Sequence, residues 1–307
     1  MRIVRDVIQC RAKEKSTPRS RTDNFHVALV VEGGGMRGVV AGGMVSALEE
    51  RCLVDCFDSV HGASAGACAG AYFLTNQASL GTSIYYEDIN NKQFISILRP
   101  ILLRPIMNAD FLIDYVMQSV KVLDVDKLIT QIGRLNIVTT EADTGQPRIF
   151  NRFTSAEHFF RALKASITIP LIAGRWVILE DRKLVDGGMT QQIALQSAVD
   201  AGATHILVLM THRCHELIRP SSDKKVDYER WLIKAIYGQS LADCYSKRNN
   251  QINKTVQTIL KGVINGIALD YIARPSESVL VSRLCTDAEI LRMAASQSRQ
   301  IVHKYFD

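Results

Sequence analysis

The sequence lacks any apolar run that approaches the roughly 20 residues of a membrane-spanning helix. Its first residues alternate charged and apolar side chains and lack the uninterrupted apolar core of a secretion signal. A disulfide framework is also missing, because the seven cysteines are odd in number and irregularly spaced. These absences favour a reducing compartment and predict a cytoplasmic protein, which can still contact a membrane surface.

Internal repeats and low-complexity linkers are absent as well. Hydrophobic residues make up 47% and charged residues 22% of the 307 positions, which is ordinary for a globular protein. The net charge of +6 is concentrated in residues 1–24, where seven basic side chains stand against three acidic ones. Such an arm can touch anionic lipid or nucleic acid, but it is more often a solvated terminus. No nucleic-acid partner is expected.

A Gly-x-Ser-x-Gly pentapeptide at 62–66 carries the first chemical signal. It follows the apolar run 57–61 and precedes the small, apolar run 67–74. This order predicts a strand, a sharp turn and a buried helix, with Ser64 pushed into the open at the N-terminus of the helix. A serine in that position can act as a nucleophile. The alternative is a glycine-rich turn that happens to hold a serine.

A second glycine-rich stretch, Gly33-Gly34-Gly35-Met36-Arg37-Gly38, lies between a predicted buried strand at 25–31 and a predicted helix at 39–52. Consecutive glycines let backbone N–H groups converge, so this loop can supply donors for an oxyanion, with Arg37 adding positive charge. The stretch also matches a dinucleotide-binding fingerprint, with Asp55 or Asp58 near the position of the ribose-binding acid. That alternative is disfavoured, because the next strand leads directly into the serine turn.

The general base is predicted to be Asp186, which ends a predicted strand and precedes two glycines. A poorly solvated cleft would raise the pKa of an aspartate from its ordinary value of about 3.9 and make it a better base. A turn aspartate is the alternative. No histidine lies in a recognisable motif. His61 precedes Ser64 on a strand and His205 opens a buried strand, so both are interpreted as structural.

His212 and His215 flank Cys214 in a predicted loop, which suggests a metal site. No second cluster has the spacing of zinc ligands, so neither a metal nor a cofactor is expected.

Taken together, the three motifs are more specific than any one of them. The glycine loop, the Ser64 pentapeptide and Asp186-Gly187-Gly188 resemble, in order, the signatures of the patatin-like phospholipase family, as does the stretch 165–170. The resemblance covers about residues 25–210. It implies an α/β fold in which helices sandwich a mostly parallel central sheet, a three-layer α/β/α arrangement. The chain is accordingly divided into a basic arm (1–24), a catalytic domain (25–215) and a mainly helical flank packed on that domain (216–307).

The resemblance also implies a catalytic dyad without histidine. Ser64 is then the nucleophile and Asp186 the proton acceptor, and the oxyanion hole consists of Gly34, Gly35 and Gly38 with Arg37 in support. Family members hydrolyse acyl esters of phospholipids and related lipids, generally without calcium. The expected function is a lipid acyl hydrolase of the phospholipase A or lysophospholipase type. A transacylase and a catalytically weak or inactive regulatory or lipid-binding protein are the alternatives.

The stretch 94–107 is apolar but interrupted by Arg99-Pro100 and Arg104-Pro105, and a helix is predicted at 110–120, so that 94–117 is treated as one segment. Such a sequence suits either a cover over an acyl-binding cleft or an irregular piece of core. Together with the basic arm, it is hypothesised to form a lipid-facing surface that contacts anionic membranes.

Overall fold

A computed structural model describes residues 3–102, 104–213 and 223–307. In these ranges the chain forms nine strands: β1 Val27–Val31, β2 Ser59–Ala63, β3 Leu135–Glu141, β4 Pro147–Phe150, β5 Val177–Leu179, β6 Arg182–Asp186, β7 His205–Met210, β8 Val263–Ile264 and β9 Ile267–Ala273. The α-helices in the same ranges are α1 Val4–Lys13, α2 Gly38–Glu50, α3 Ala65–Leu74, α4 Ala78–Glu87, α5 Val125–Thr130, α6 Ala156–Ile167, α7 Leu195–Asp200, α8 Asp223–Tyr237, α9 Gln239–Leu260 and α10 Ala288–Phe306. A π-helix spans Phe111–Val120.

All nine strands belong to one mixed sheet with the order β5-β6-β3-β2-β1-β7-β9-β8, and β4 pairs with β3 beside this path. Its centre is parallel, since β1 pairs in parallel with β2 and β7, β2 with β3, and β7 with β9. The remaining pairs are antiparallel. Parallel neighbours need crossover connections, and these cover both faces of the sheet with helices.

Alternate side chains of the central strand enter two separate cores. In β1, Val27, Leu29 and Val31 belong to a core that includes α2, α3 and α10. Ala28 and Val30 belong to a second core on the opposite face, which includes α7 and α9. A period of two with both faces apolar is the pattern of a strand buried between two helical layers. The expected three-layer α/β/α fold is confirmed.

The C-terminal part of the chain contributes strands as well as helices. A mainly helical flank was predicted for residues 216–307, yet β9 extends the sheet. It pairs in parallel with β7, with His205 opposite Ala268 at one end and Met210 opposite Ala273 at the other. The apolar sequence of β9 is interrupted by Asp270, whose carboxylate accepts a hydrogen bond from the Tyr305 hydroxyl of α10 at 2.5 Å. A contact with a distant helix leaves no mark in the local pattern, so the strand was missed.

The basic N-terminal segment is folded against the domain. Helix α1 buries Val4, Val7 and Ile8 in the core. The buried Arg11 guanidinium forms ion pairs with Asp23 and Asp58, both at 2.7 Å, and Arg21 pairs with Asp58 at the same distance. These two arginines are therefore neutralised within the protein. Among the helices of the described ranges, none has the length and hydropathy needed to cross a membrane.

Candidate active site

Two strands that meet end to end along β3 bring Ser64 and Asp186 together. On one side, β3 pairs with β4. On its other side it pairs first with β2, whose last residue Ala63 lies opposite Val138, and then with β6, whose last residue Asp186 lies opposite Thr139. Because β2 runs parallel and β6 antiparallel to β3, the two strands point at each other. The residue after β2 and the last residue of β6 therefore become neighbours.

Ser64 lies in a strained turn between β2 and α3. Its backbone has φ +56° and ψ −132°, a region that residues other than glycine rarely occupy and that is concentrated at functional sites. The turn packs so closely on the end of β1 that a Cβ on Gly66 would lie 2.1 Å from the Val31 carbonyl oxygen, and only glycine fits at this position. The side chain of Ser64 is 8% exposed, so it reaches solvent only through the cavities described below.

Ser166 holds the turn in place, a role that the sequence analysis did not assign. Its hydroxyl accepts a hydrogen bond from the Ser64 backbone N–H at 2.9 Å and donates one to the Val138 carbonyl at 2.6 Å. A buried N–H without a partner is costly, so this hydroxyl stabilises the strained conformation. The signal in the sequence was the family-like stretch 165–170, which was noted without a role for its serine.

Asp186 is buried beside Ser64. Its Oδ1 accepts a hydrogen bond from the Gly188 backbone N–H at 2.6 Å. Burial raises the pKa of this carboxyl above its ordinary value, while the hydrogen bond from Ser64 and the charge of Arg248 oppose the rise. Oδ2 has no partner of ordinary geometry in the described part of the chain, so the contact with Ser64 is looser than a standard hydrogen bond. Contacts of this kind often tighten only when substrate binds.

Arg248 supports Asp186 from the C-terminal part of the chain. This residue of α9 donates through Nε to the Gly188 carbonyl at 2.8 Å and through Nη2 to Gln192 Oε1 at 2.9 Å. It thus positions the turn that holds Asp186 and places a positive charge near it. Nothing in the local sequence of α9 distinguishes this arginine from the basic residues around it, so it was missed.

The glycine loop lies directly against the serine turn, since a Cβ on Gly33 would be 2.4 Å from the Ala63 carbonyl oxygen and 3.1 Å from Ser64 Cβ. The backbone N–H groups of Gly34 and Gly35 donate no hydrogen bond to a described residue. The N–H of Gly38 instead donates to carbonyl groups within the loop. Of the three glycines, Gly34 and Gly35 therefore have the N–H groups that are available to a ligand.

Arg37 packs on this loop. Its Nε and Nη2 are buried without a hydrogen-bond partner among the described residues. Burial lowers the pKa of Arg37 to about 10, with Glu32 opposing this effect and the nearby Arg283, Arg274 and Arg248 adding to it. The guanidinium is thus a poorly solvated charge beside the glycine loop.

Glu32 anchors the loop and was not singled out from the sequence. It is fully buried, and its carboxylate accepts hydrogen bonds from Gln192 Nε2 at 3.0 Å and from the Thr211 backbone N–H at 2.6 Å. His212 Nδ1 contacts the same carboxylate. Although burial raises the pKa of Glu32, the charges of His212 and Arg37 and the hydrogen bonds from His212 and Gln192 lower it to about 2. The group is an anion that ties the end of β1 to the end of β7.

The other candidates from the sequence have different roles. His61 is buried in β2, where it contacts the hydroxyls of Ser197 and Ser59 at 2.8 and 2.9 Å, and burial lowers its pKa to about 3. Asp58 is committed to ion pairs with arginines. Cys214 and His215 lie outside the described residues. Within the described ranges, no group of three or more metal-ligating side chains is arranged to hold a metal ion.

Two cavities meet at Ser64. The first is a narrow apolar pocket of about 50 Å³ between the helices that follow the glycine loop and the serine turn. Its lining includes Ala65, Cys68, Ala69, Tyr72, Ile84, Tyr85, Phe94, Met107, Leu112, Met117 and Ile167. The second is a wide cleft of about 1090 Å³ whose lining mixes apolar side chains, among them Met107, Leu171 and Ile233, with charged and polar ones. We call it the polar cleft because, unlike the first pocket, it is lined by charged groups, which include Arg37, Asp186, His212, Asp227, Glu229, Arg248 and Arg283. An ester carbonyl at Ser64 can therefore direct one substituent into apolar surroundings and the other into polar ones.

Comparison with known proteins identifies a family for the range that contains these residues. The model of the family described as patatin-like phospholipase matches residues 29–199, more than half of the chain and a range that contains the glycine loop, Ser64 and Asp186. The uncharacterized protein YjjU of Escherichia coli K12 is 26% identical over 208 residues, which are 67% of this chain and 57% of YjjU. The chain thus spans little more than half the length of that relative. The crystal structure of VipD from Legionella pneumophila is similar over 91% of this chain and 67% of VipD, with a TM-score of 0.40 and 13% identity.

Proposed function

The chain belongs to the patatin-like phospholipase family, and from this premise we propose that it is a lipid acyl hydrolase of the phospholipase A or lysophospholipase type. The observation that carries the proposal is the contact between Ser64 and Asp186 at the junction of an apolar pocket and a polar cleft. The acyl chain of the ester enters the apolar pocket, and the alcohol portion occupies the cleft.

Hydrolysis proceeds in two halves. Asp186 accepts the proton of Ser64, whose Oγ attacks the acyl carbonyl, and the N–H groups of Gly34 and Gly35 stabilise the oxyanion with the nearby Arg37 charge. The intermediate collapses to an acyl-enzyme, and the alcohol leaves with the proton from Asp186. Water then attacks the acyl-enzyme while Asp186 accepts its proton, and the bond between the acyl group and Ser64 Oγ breaks as Asp186 passes this proton to Oγ, which releases the fatty acid and restores the serine. An alcohol that replaces water in this step makes the same chemistry a transacylation.

Labelling with a fluorophosphonate probe tests the proposal most directly. We expect one adduct on the peptide that contains Ser64, detected by mass spectrometry, because only an activated serine reacts with the probe. Ser246→Ala is the matched control, since Ser246 is an exposed serine of the same cleft and its loss should leave labelling unchanged. A folded protein without any adduct, both alone and with lipid vesicles, contradicts the proposal and favours an inactive lipid-binding protein.

The pH dependence of hydrolysis should follow Asp186. Because only the ionised carboxylate accepts a proton, kcat/KM should rise with pH and level off above the pKa of Asp186, which burial raises above the ordinary aspartate value. The charge of Arg248 lowers this pKa, so Arg248→Gln should move the acid limb of the profile to higher pH. Arg248→Lys keeps the charge and should move it less. An unchanged limb in Arg248→Gln would show that the arginine acts only through its hydrogen bonds.

An exposed apolar loop beside the acyl pocket supports contact with a lipid surface. This loop, residues 95–107, is closed at its base by the pairing of Ile95 with Met107, which lines the pocket. At its tip, Ile97, Leu98 and Ile101 are 74%, 66% and 77% exposed. Three large aliphatic side chains in water within five positions are unusual for a soluble surface and mark an interaction site. We infer that the tip enters the lipid surface next to the pocket that receives the acyl chain.

Arg99 shapes this loop. Its guanidinium donates hydrogen bonds to the carbonyl groups of Phe94 at 3.0 Å and Lys92 at 2.9 Å, and to that of Gln93. The arginine that interrupts the apolar run thus satisfies the backbone at the base of the loop. It supports the tip rather than presenting a free charge to the lipid.

The triple variant Ile97→Ser, Leu98→Ser, Ile101→Ser should weaken binding to phospholipid vesicles by about 100-fold or more, because each side chain loses apolar burial in the lipid. Co-sedimentation with vesicles measures this, and thermal unfolding checks that the variant is folded. Ile132→Ser is the control, since Ile132 is 68% exposed on another loop. Equal vesicle binding by the triple variant and the control would eliminate the loop as the lipid contact.

A further inference from the structure

The polar cleft has a cationic wall built by segments that follow the family-matched range. Arg248 comes from α9, and Arg283 lies between β9 and α10. Both side chains donate through Nη2 to the same acceptor, Gln192 Oε1, at 2.9 and 3.2 Å. One amide oxygen therefore holds two guanidinium groups side by side at the edge of the site that contains Asp186.

In the part of the chain that the structure describes, these charges have no salt-bridge partner. None of the ion pairs in the described ranges includes Arg37, Arg248 or Arg283. Burial lowers the pKa of Arg248, and the charge of Arg283 lowers it further because neighbouring cations repel each other, while the charge of Asp186 opposes both effects. Holding like charges together in a partly buried cleft is unfavourable unless an anion completes the arrangement.

The carboxylates of the cleft do not fill this role. Glu32 is already saturated by Gln192, the Thr211 N–H and His212. Asp186 forms no salt bridge with either guanidinium in the described part of the chain, although its charge interacts with both of them, and the proposed reaction needs it as the base. Asp227 and Glu229 belong to α8, and the Glu229 carboxylate accepts a hydrogen bond from the Tyr245 hydroxyl. The two arginines of the cationic wall therefore line the cleft without a carboxylate paired to them in the described ranges.

We propose that Arg248 and Arg283 form a subsite for the phosphate group of the substrate's headgroup. Paired guanidinium groups match the oxygen atoms of a phosphate in charge and in hydrogen-bonding geometry. Both arginines line the cleft and neither lines the apolar pocket, so the subsite lies on the alcohol side of an ester attacked by Ser64. The placement rests on the proposed function, and the subsite gives the cleft a preference for phospholipids over neutral acylglycerols.

Arg283 is the better residue for a test. Its side chain is exposed and is held by Gln192, whereas Arg248 also positions Gly188 beside the base. The backbone carbonyl of Arg283 accepts a hydrogen bond from the Met36 N–H at 3.1 Å, and this contact with the glycine loop survives a change of side chain. Arg283→Gln should therefore fold, and thermal unfolding verifies this.

Binding to the Ser64→Ala protein separates the subsite from catalysis. Isothermal titration would compare dihexanoyl phosphatidylcholine, dihexanoylglycerol and sodium phosphate in one neutral detergent. Adding Arg283→Gln should raise the Kd of the phospholipid about tenfold, since hydrogen bonds to charged groups are strong, and that of the acylglycerol less than twofold. Arg283→Lys should recover part of the loss. The control Arg51→Gln, which removes an arginine paired with Asp307, should change neither Kd.

Three outcomes would overturn the subsite. Equal weakening of both lipids would show that Arg283 supports the cleft through Gln192, and an unchanged phospholipid Kd would show that it binds no phosphate. Sodium phosphate that binds as tightly as the phospholipid, with the same dependence on Arg283, would assign the site to free phosphate. If the wild-type protein hydrolyses neither lipid but the expected binding pattern holds, the proposed function fails and the subsite stands.

Discussion

Ser64→Ala should lower the rate of fatty-acid release by about 10⁴-fold or more, because removing the nucleophile eliminates the covalent route. Only oxyanion stabilisation by the N–H groups of Gly34 and Gly35 and substrate binding in the cleft would remain. The fold should persist. Alanine occupies the same strained backbone, and the Ser166 hydroxyl still accepts the N–H of residue 64. The free energy of unfolding should therefore change by less than about 1 kcal/mol.

The measurement is fatty-acid release from phospholipid vesicles, quantified by mass spectrometry, together with thermal unfolding of the same preparations. Ser246→Ala removes another hydroxyl from the cleft and should hydrolyse at the wild-type rate. A Ser64→Ala protein that retains more than a tenth of the wild-type rate would exclude Ser64 as the nucleophile.

Asp186→Asn should reduce hydrolysis by roughly 10³- to 10⁴-fold and abolish fluorophosphonate labelling of Ser64, since the amide is nearly isosteric but cannot accept the serine proton. The amide oxygen can still accept the hydrogen bond that Oδ1 receives from Gly188 at 2.6 Å. The local geometry should therefore survive while the chemistry is lost. Asp143→Asn, a change at an exposed aspartate near Lys183, is the matched control and should be fully active.

Stability gives a second, independent readout for Asp186. Because burial raises its pKa, the folded protein holds this proton more tightly than the unfolded chain does. The contribution of the group to stability is then fully present below the unfolded pKa of about 3.9 and is lost as the pH rises through the folded pKa. Asparagine has no such loss, so Asp186→Asn should unfold at the same or a higher temperature than wild type near neutral pH. An Asp186→Asn protein that is both active and less stable would assign the aspartate a structural role.

The family and the α/β fold could be predicted from short motifs because each motif meets a steric requirement at its own positions in the chain. Gly66 permits the close approach of α3 to the end of β1, and the loop 33–38 must be rich in glycine to lie against the serine turn. Such steric requirements restrict the residue type at the position itself, so they are visible in one sequence. The same holds for β1, whose apolar residues face two cores.

The supporting residues could not be predicted in this way. Ser166, Glu32 and Arg248 each support the site through side-chain hydrogen bonds to residues that are distant in the sequence. A serine in a helix, a glutamate after a strand and an arginine in a polar helix are ordinary in any protein. Their role can be seen only when the residues that they contact in the folded chain are known. Strand β9 was missed for the same reason, because its partners are β7 and β8.

By itself, the sequence determined the chemistry that the chain carries: a serine in a strained turn, a glycine loop with an arginine, and an aspartate before two glycines. It also favoured the layered fold, because a strand that is apolar at every position must be covered on both faces of the sheet. Only the tertiary structure decided that β2 and β6 meet end to end along β3, which makes Ser64 and Asp186 neighbours. It alone also brought Arg248 and Arg283 to the cleft, because contacts between distant segments depend on how the whole chain packs rather than on any local pattern.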